Sequence, residues 1–113
     1  MKIEKLLESD KSEFTKGEPL SKEYPYSTVI VYRAQPATDR NLPTNSYVTR
    51  SLRFAKDHAV HMANTEGEPQ HVIKCLVKTA NIFNAGNPGE YIYDGVPVAG
   101  KVIFTANEGD DFE

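Results

Sequence analysis

The sequence predicts an α+β domain in which a small, mainly antiparallel sheet carries one principal helix. Three observations lead there. Residues 28–34 (Thr-Val-Ile-Val-Tyr-Arg-Ala) and 71–78 (His-Val-Ile-Lys-Cys-Leu-Val-Lys) are rich in β-branched and apolar residues over strand lengths. One stretch after Ser51 repeats apolar residues at helical spacing. The remaining extended segments are short and have no further helix between them, a pattern that suits antiparallel pairing better than helix-crossed parallel strands.

Residues 1–27 read as an appendage to this domain. Ile3, Leu6 and Leu7 have helical spacing, but Asp10, Gly17, Pro19 and Pro25 rule out one long helix, so a short helix and a loop are expected. The first strong strand follows and stops at Pro36. Alternation puts Val29, Val31 and Arg33 on one face and Ile30 and Tyr32 on the other, so both faces carry apolar residues and the strand is expected to be central. Residues 36–45 are loop by composition, and Ser46 to Thr49 form a short strand feeding the helix. Either Thr49 or Ser51 could cap that helix. Leu52, Ala55, Ala59 and Met62 define its apolar stripe, and Gly67 and Pro69 end it.

In the second strong strand Ile73, Cys75 and Val77 share one face, with Val72, Lys74, Leu76 and Lys78 on the other. Residues 84–89 (Asn-Ala-Gly-Asn-Pro-Gly) make a turn-rich loop, followed by short strands at 91–93 and 101–104. The expected organisation is an appendage at 1–27, one domain at 28–106 and a disordered acidic tail at 107–113.

Composition narrows the function classes. The chain has 113 residues, 39% hydrophobic and 26% charged, which is ordinary for a single globular domain. No apolar run approaches membrane-spanning length, and the first residues lack the apolar core of a secretory signal. Cys75 is the only cysteine, so no intrachain disulfide can form, and a reducing, cytoplasmic setting and a monomer are expected. The net charge of −3 does not suggest a nucleic-acid partner. Arg33, Arg40, Arg50, Arg53 and Lys56 nevertheless fall in a span whose only acid is Asp39, which allows an anion-binding face. His58 and His61 are three residues apart on the helix, but no third ligand stands at a recognisable spacing, so no metal site is expected. Phosphate-loop, dinucleotide-fingerprint and nucleophile-elbow motifs are absent.

What remains is a spaced trio of Arg33, Thr49 and Glu90. Arg33 stands in Tyr32-Arg33-Ala34 at the end of the first strand. Thr49 stands in Tyr47-Val48-Thr49-Arg50-Ser51, leading into Phe54-Ala55-Lys56-Asp57-His58. Glu90 opens Glu90-Tyr91-Ile92-Tyr93-Asp94 after the glycine-rich loop. In this order the motifs, covering about residues 28–95, resemble the ADP-ribosyltransferase-like domains of phage and bacterial proteins, of the arginine–serine/threonine–glutamate type. The resemblance implies NAD as a substrate, bound by Arg33 and Thr49, with Tyr32, Tyr47 or Tyr91 stacking on nicotinamide. It implies Glu90 as the catalytic carboxylate that stabilises the oxocarbenium-like centre as nicotinamide leaves. The implied activity is mono-ADP-ribosyl transfer, or NAD hydrolysis, with a host macromolecule as acceptor.

The chain departs from the pattern at Pro88, where arginine-modifying members carry an acid or glutamine, and this points away from arginine as acceptor. The serine-threonine-serine signature of the toxins is also absent. The alternative is a non-catalytic interaction module that keeps the same fold and binds a protein partner.

Overall fold

A computed structural model describes residues 17–110. The expected helix around Ile3 to Leu7 and the last residues of the acidic tail lie outside them. The described chain forms three small antiparallel sheets and one main helix, the α+β class that the sequence predicts.

Two long strands, β1 (Thr28–Pro36) and β4 (Gln70–Lys78), pair along their whole lengths. β4 is the central strand of this sheet, because β8 (Lys101–Ala106) pairs on its other side. β1, expected to be central, is therefore an edge strand of its sheet. Apolar residues on both of its faces are explained by what covers those faces. On one side Val29, Val31, Ile73, Cys75 and Val77 pack against Leu20, Leu42, Val48, Ile82 and Tyr93. On the other side Val72 and Ala106, with Tyr32, Ala34 and Phe104, pack against Ala55, Ala59, Val60 and Ala63 of the helix. The predicted alternation in both strands holds: Val29 and Val31 face the first core, and Tyr32 and Ala34 the second.

The helix, α1 (Leu52–Glu66), starts at Ser51, whose hydroxyl accepts from the amide of Phe54 at 3.1 Å. It ends at Gly67, which takes the left-handed conformation (φ 73°) that glycine adopts without a steric penalty. Its buried arc differs from the predicted stripe. Ala55 and Ala59 are buried as expected, but Val60 and Ala63 complete the arc, and Met62 is only half-buried and borders a surface cleft.

The second sheet is β3 (Ser46–Val48), β6 (Tyr91–Tyr93) and β5 (Ile82–Asn84), with β6 in the middle. A two-residue ribbon pairs β2 (Asn41–Leu42), inside the expected loop, with β7 (Val98–Ala99). Residues 17–27, read from the sequence as part of an appendage, are packed on the domain. Leu20 is 2% exposed within the first core, Gly17 donates to the Asn84 carbonyl at 2.7 Å, and the Thr79 hydroxyl donates to the Tyr26 carbonyl at 2.6 Å. The expected tail is likewise ordered at its start. Asn64 holds residues 107–110 by donating to the Asp110 carbonyl and accepting from the Gly109 amide.

Candidate active site

One residue pair joins the two main sheets. Tyr32 of β1 and Thr49, just beyond β3, exchange both backbone hydrogen bonds, at 2.8 and 2.9 Å. In the second sheet Val48 lies opposite Tyr91, so the same register carried one step further sets Glu90 opposite Thr49. The bridge thus brings Arg33, Thr49 and Glu90 together from three separate segments. All three, with Tyr32 and Tyr47, line one hollow of about 70 Å³. Of the residues that the resemblance singles out, Tyr91 alone does not border this hollow. It opens into a wider cleft of about 500 Å³, to which Arg33, Ala34, Tyr47, His58 and Glu90 also contribute.

Arg33 is fixed before any ligand binds. Its Nε donates to Gln35 Oε1 at 2.8 Å and its Nη1 to the Tyr47 carbonyl at 2.9 Å. Partial burial lowers its pKa, opposed by the negative charge of Asp39. A guanidinium stays charged through such a shift, so the site holds a permanent cation. Gln35 is 4% exposed and keeps its own orientation by donating to the carbonyls of Asp39 and Asn41, both at 2.9 Å.

Thr49 is buried, and its hydroxyl oxygen accepts from the Ser51 amide at 3.1 Å. This bond turns the chain from strand into helix, so Ser51 and not Thr49 is the cap. Tyr47 is 48% exposed at the cleft mouth. Glu90 ends the glycine-rich loop: Gly89 sits at φ 82°, the Glu90 amide donates to the Asn87 carbonyl, and Asn87 Nδ2 donates to Glu90 Oε1 at 3.1 Å. The carboxylate is half-buried and keeps one oxygen free of that bond.

Two features of the site were not picked out from the sequence, and a third was weighed there only as half of a metal-binding pair. Because Tyr32 bonds outward to Thr49, the antiparallel alternation makes Ala34 turn its N–H and C=O away from β4 and toward the cleft. Gln35 is the second, as the brace of Arg33; its position two residues on, on the same strand face, is a signal that could have found it. His58 is the third. The helix presents Phe54, His58, Met62 and Glu66 to the cleft at four-residue intervals, with His58 where the two hollows meet. Its pKa is lowered, chiefly by partial burial, then by His61 and Arg33, while Glu90 acts in the opposite direction.

Cys75 lies in the first core, where burial raises its thiol pKa to about 11, so it is no nucleophile at neutral pH. No three metal-ligating side chains cluster among the described residues. No helix among the described residues is long and apolar enough to cross a membrane.

No family model, curated protein or solved structure matches this chain.

Proposed function

We propose that the cleft binds NAD and that the protein is a mono-ADP-ribosyltransferase-like enzyme, or an NAD glycohydrolase. The observation that carries this reading is the meeting of Arg33, Thr49 and Glu90 in one hollow, although 57 residues separate the outer two in sequence. The guanidinium of Arg33 offers its remaining N–H groups to a phosphate or ribose oxygen in a planar fork. The open edge of Ala34 presents one donor and one acceptor, the complement of a nicotinamide carboxamide. Thr49 walls the ring pocket and Tyr47 closes over it. α1 has no acid in its first turn, so the positive potential of its N-terminus favours the diphosphate. Glu90 accepts a ribose hydroxyl and stabilises the positive charge that develops at the anomeric carbon as the glycosidic bond breaks.

The experiment is an NMR titration with NAD and nicotinamide, paired with an assay of nicotinamide release. Amide shifts at Arg33, Thr49 and Glu90 are expected. Glu90→Gln should cut release by about 10²–10³-fold, the usual scale for removing one electrostatic stabiliser, with an unchanged spectrum elsewhere. A spectrum that does not move at millimolar NAD removes the proposal.

One observation favours the alternative, a non-catalytic interaction module. On the β1–β4 sheet the helix leaves Ile30 and Leu76 uncovered, at 39% and 66% exposed. That reading predicts a partner whose binding tolerates Glu90→Gln and protects Ile30 and Leu76.

A further inference from the structure

The chemistry above needs a second participant, an acceptor that loses a proton as it bonds to the anomeric carbon. Glu90 faces the developing cation and cannot serve both roles freely. The loop before it, residues 84–89, contains no ionisable side chain. Glu66 and Glu68 border only the wider cleft and do not line the hollow that holds Glu90. His58 is the remaining candidate base. It is exposed on α1 and lines both hollows beside Arg33 and Glu90. Among the described residues only His71 has a ring nitrogen in a hydrogen bond, to Thr105, so the His58 imidazole is not committed elsewhere.

We propose that His58 is the general base for a hydroxyl acceptor, so that ADP-ribose passes to an alcohol or to water and not to a guanidinium. The inference rests on the NAD reading. In the step, the hydroxyl oxygen bonds to C1′ of the nicotinamide ribose as the C1′–N1 bond breaks. The bonding pair returns to the ring, and nicotinamide leaves neutral. The hydroxyl proton goes to the free nitrogen of His58 and then to solvent. An alcohol needs such a base, because its own proton is far too weakly acidic to leave unaided at neutral pH, and an unprotonated imidazole is the side chain suited to take it. The groups around it set its state. Partial burial chiefly disfavours the imidazolium, then His61 on the same helix; Glu90 before β6 opposes them, and Arg33 on β1 adds a smaller push in their direction.

The test uses the full chain with NAD and two small acceptors, methanol as the hydroxyl probe and agmatine as the guanidinium probe. The expected product is methyl ADP-riboside, with agmatine unmodified. His58→Ala should slow methanol transfer about 100-fold, within the usual range for losing a general base. Added imidazole should restore part of the rate, which a purely structural role would not allow. NAD-induced shifts at Arg33 and Thr49 should persist in the variant. The wild-type rate should fall on acidification with a limb below 6.5, the ordinary histidine value, and this limb should vanish in His58→Ala. Preferential modification of agmatine, or methanol transfer at the wild-type rate by His58→Ala, overturns the assignment while leaving NAD binding intact. Absence of NAD-induced shifts in the wild type overturns the NAD reading, and this one with it.

Discussion

The guanidinium of Arg33 shows how a single side chain is prepared for its partner. With Nε held by Gln35 and one Nη1 hydrogen held by Tyr47, its remaining hydrogens are left for the cleft, and little rotamer freedom remains to be lost on binding. Gln35 can do this only because its own amide nitrogen is tied to two backbone carbonyls. Replacing Gln35 with Leu removes the acceptor for Arg33 and the donor for the carbonyls of Asp39 and Asn41. Asp39 and Asn41 are exposed and their carbonyls can turn to water, so Gln35→Leu should lower stability by about 0.5–1.5 kcal/mol, the net worth of a hydrogen bond, in urea unfolding. NAD affinity should weaken about tenfold, the equivalent of one orienting hydrogen bond to a charged group. Calorimetric titration at matched folded fractions separates the two effects. An unchanged affinity would mean that Arg33 holds its place without the brace.

At the scale of elements, the turn from β3 into α1 carries both structure and site. Thr49 accepts from Ser51, and Ser51 accepts from Phe54, so two hydroxyl residues, with Arg50 between them, end the strand and start the helix within three positions. Ser51→Ala removes the cap and should cost about 1 kcal/mol, read as a lower urea midpoint with an unchanged slope. The same elements show what the sequence could and could not disclose. β1 and β4 were legible because a β-branched run leaves few alternatives, and α1 because Ser51 and Gly67 bracket its apolar repeat. The buried arc was only half legible. Ala59 has apolar neighbours on both sides, Met62 on one and Val60 and Ala63 on the other, and only the sheet beneath decides which side turns inward. β2, β5 and β7 were not read as strands, since pairs of two or three residues depend on a partner distant in sequence and leave no periodicity. The order of Arg33, Thr49 and Glu90 was visible, but the Tyr32–Thr49 bridge that brings them together is a tertiary contact between loop-separated strands.

For the molecule as a whole, the cleft exists because two thin layers share one central sheet, and a core this small depends on each large side chain in it. Leu20 is the clearest case. It comes from the segment that its prolines and polar residues mark as an appendage, yet it sits against Val29, Val77, Ile82 and Tyr93 in the core between the sheets. The short turn at Leu20–Lys22, the Gly17–Asn84 pairing and the Thr79–Tyr26 bond fix its approach. Deleting a fully buried leucine side chain removes its transfer free energy and leaves a void that the neighbours fill only in part. Leu20→Ala should therefore lower unfolding stability by about 2–5 kcal/mol, a large share of what a domain of this size possesses. Because this core also anchors Val48 and Tyr93, the strand ends that carry Thr49 and Glu90 should loosen with it, and their amides should exchange faster than those of β4. Urea unfolding of Leu20→Ala beside Ile82→Ala measures this directly. If Leu20 belonged to an appendage, its removal would cost less than about 0.5 kcal/mol, the range for surface substitutions. A cost equal to that of Ile82→Ala would place the structural boundary of the domain before residue 20.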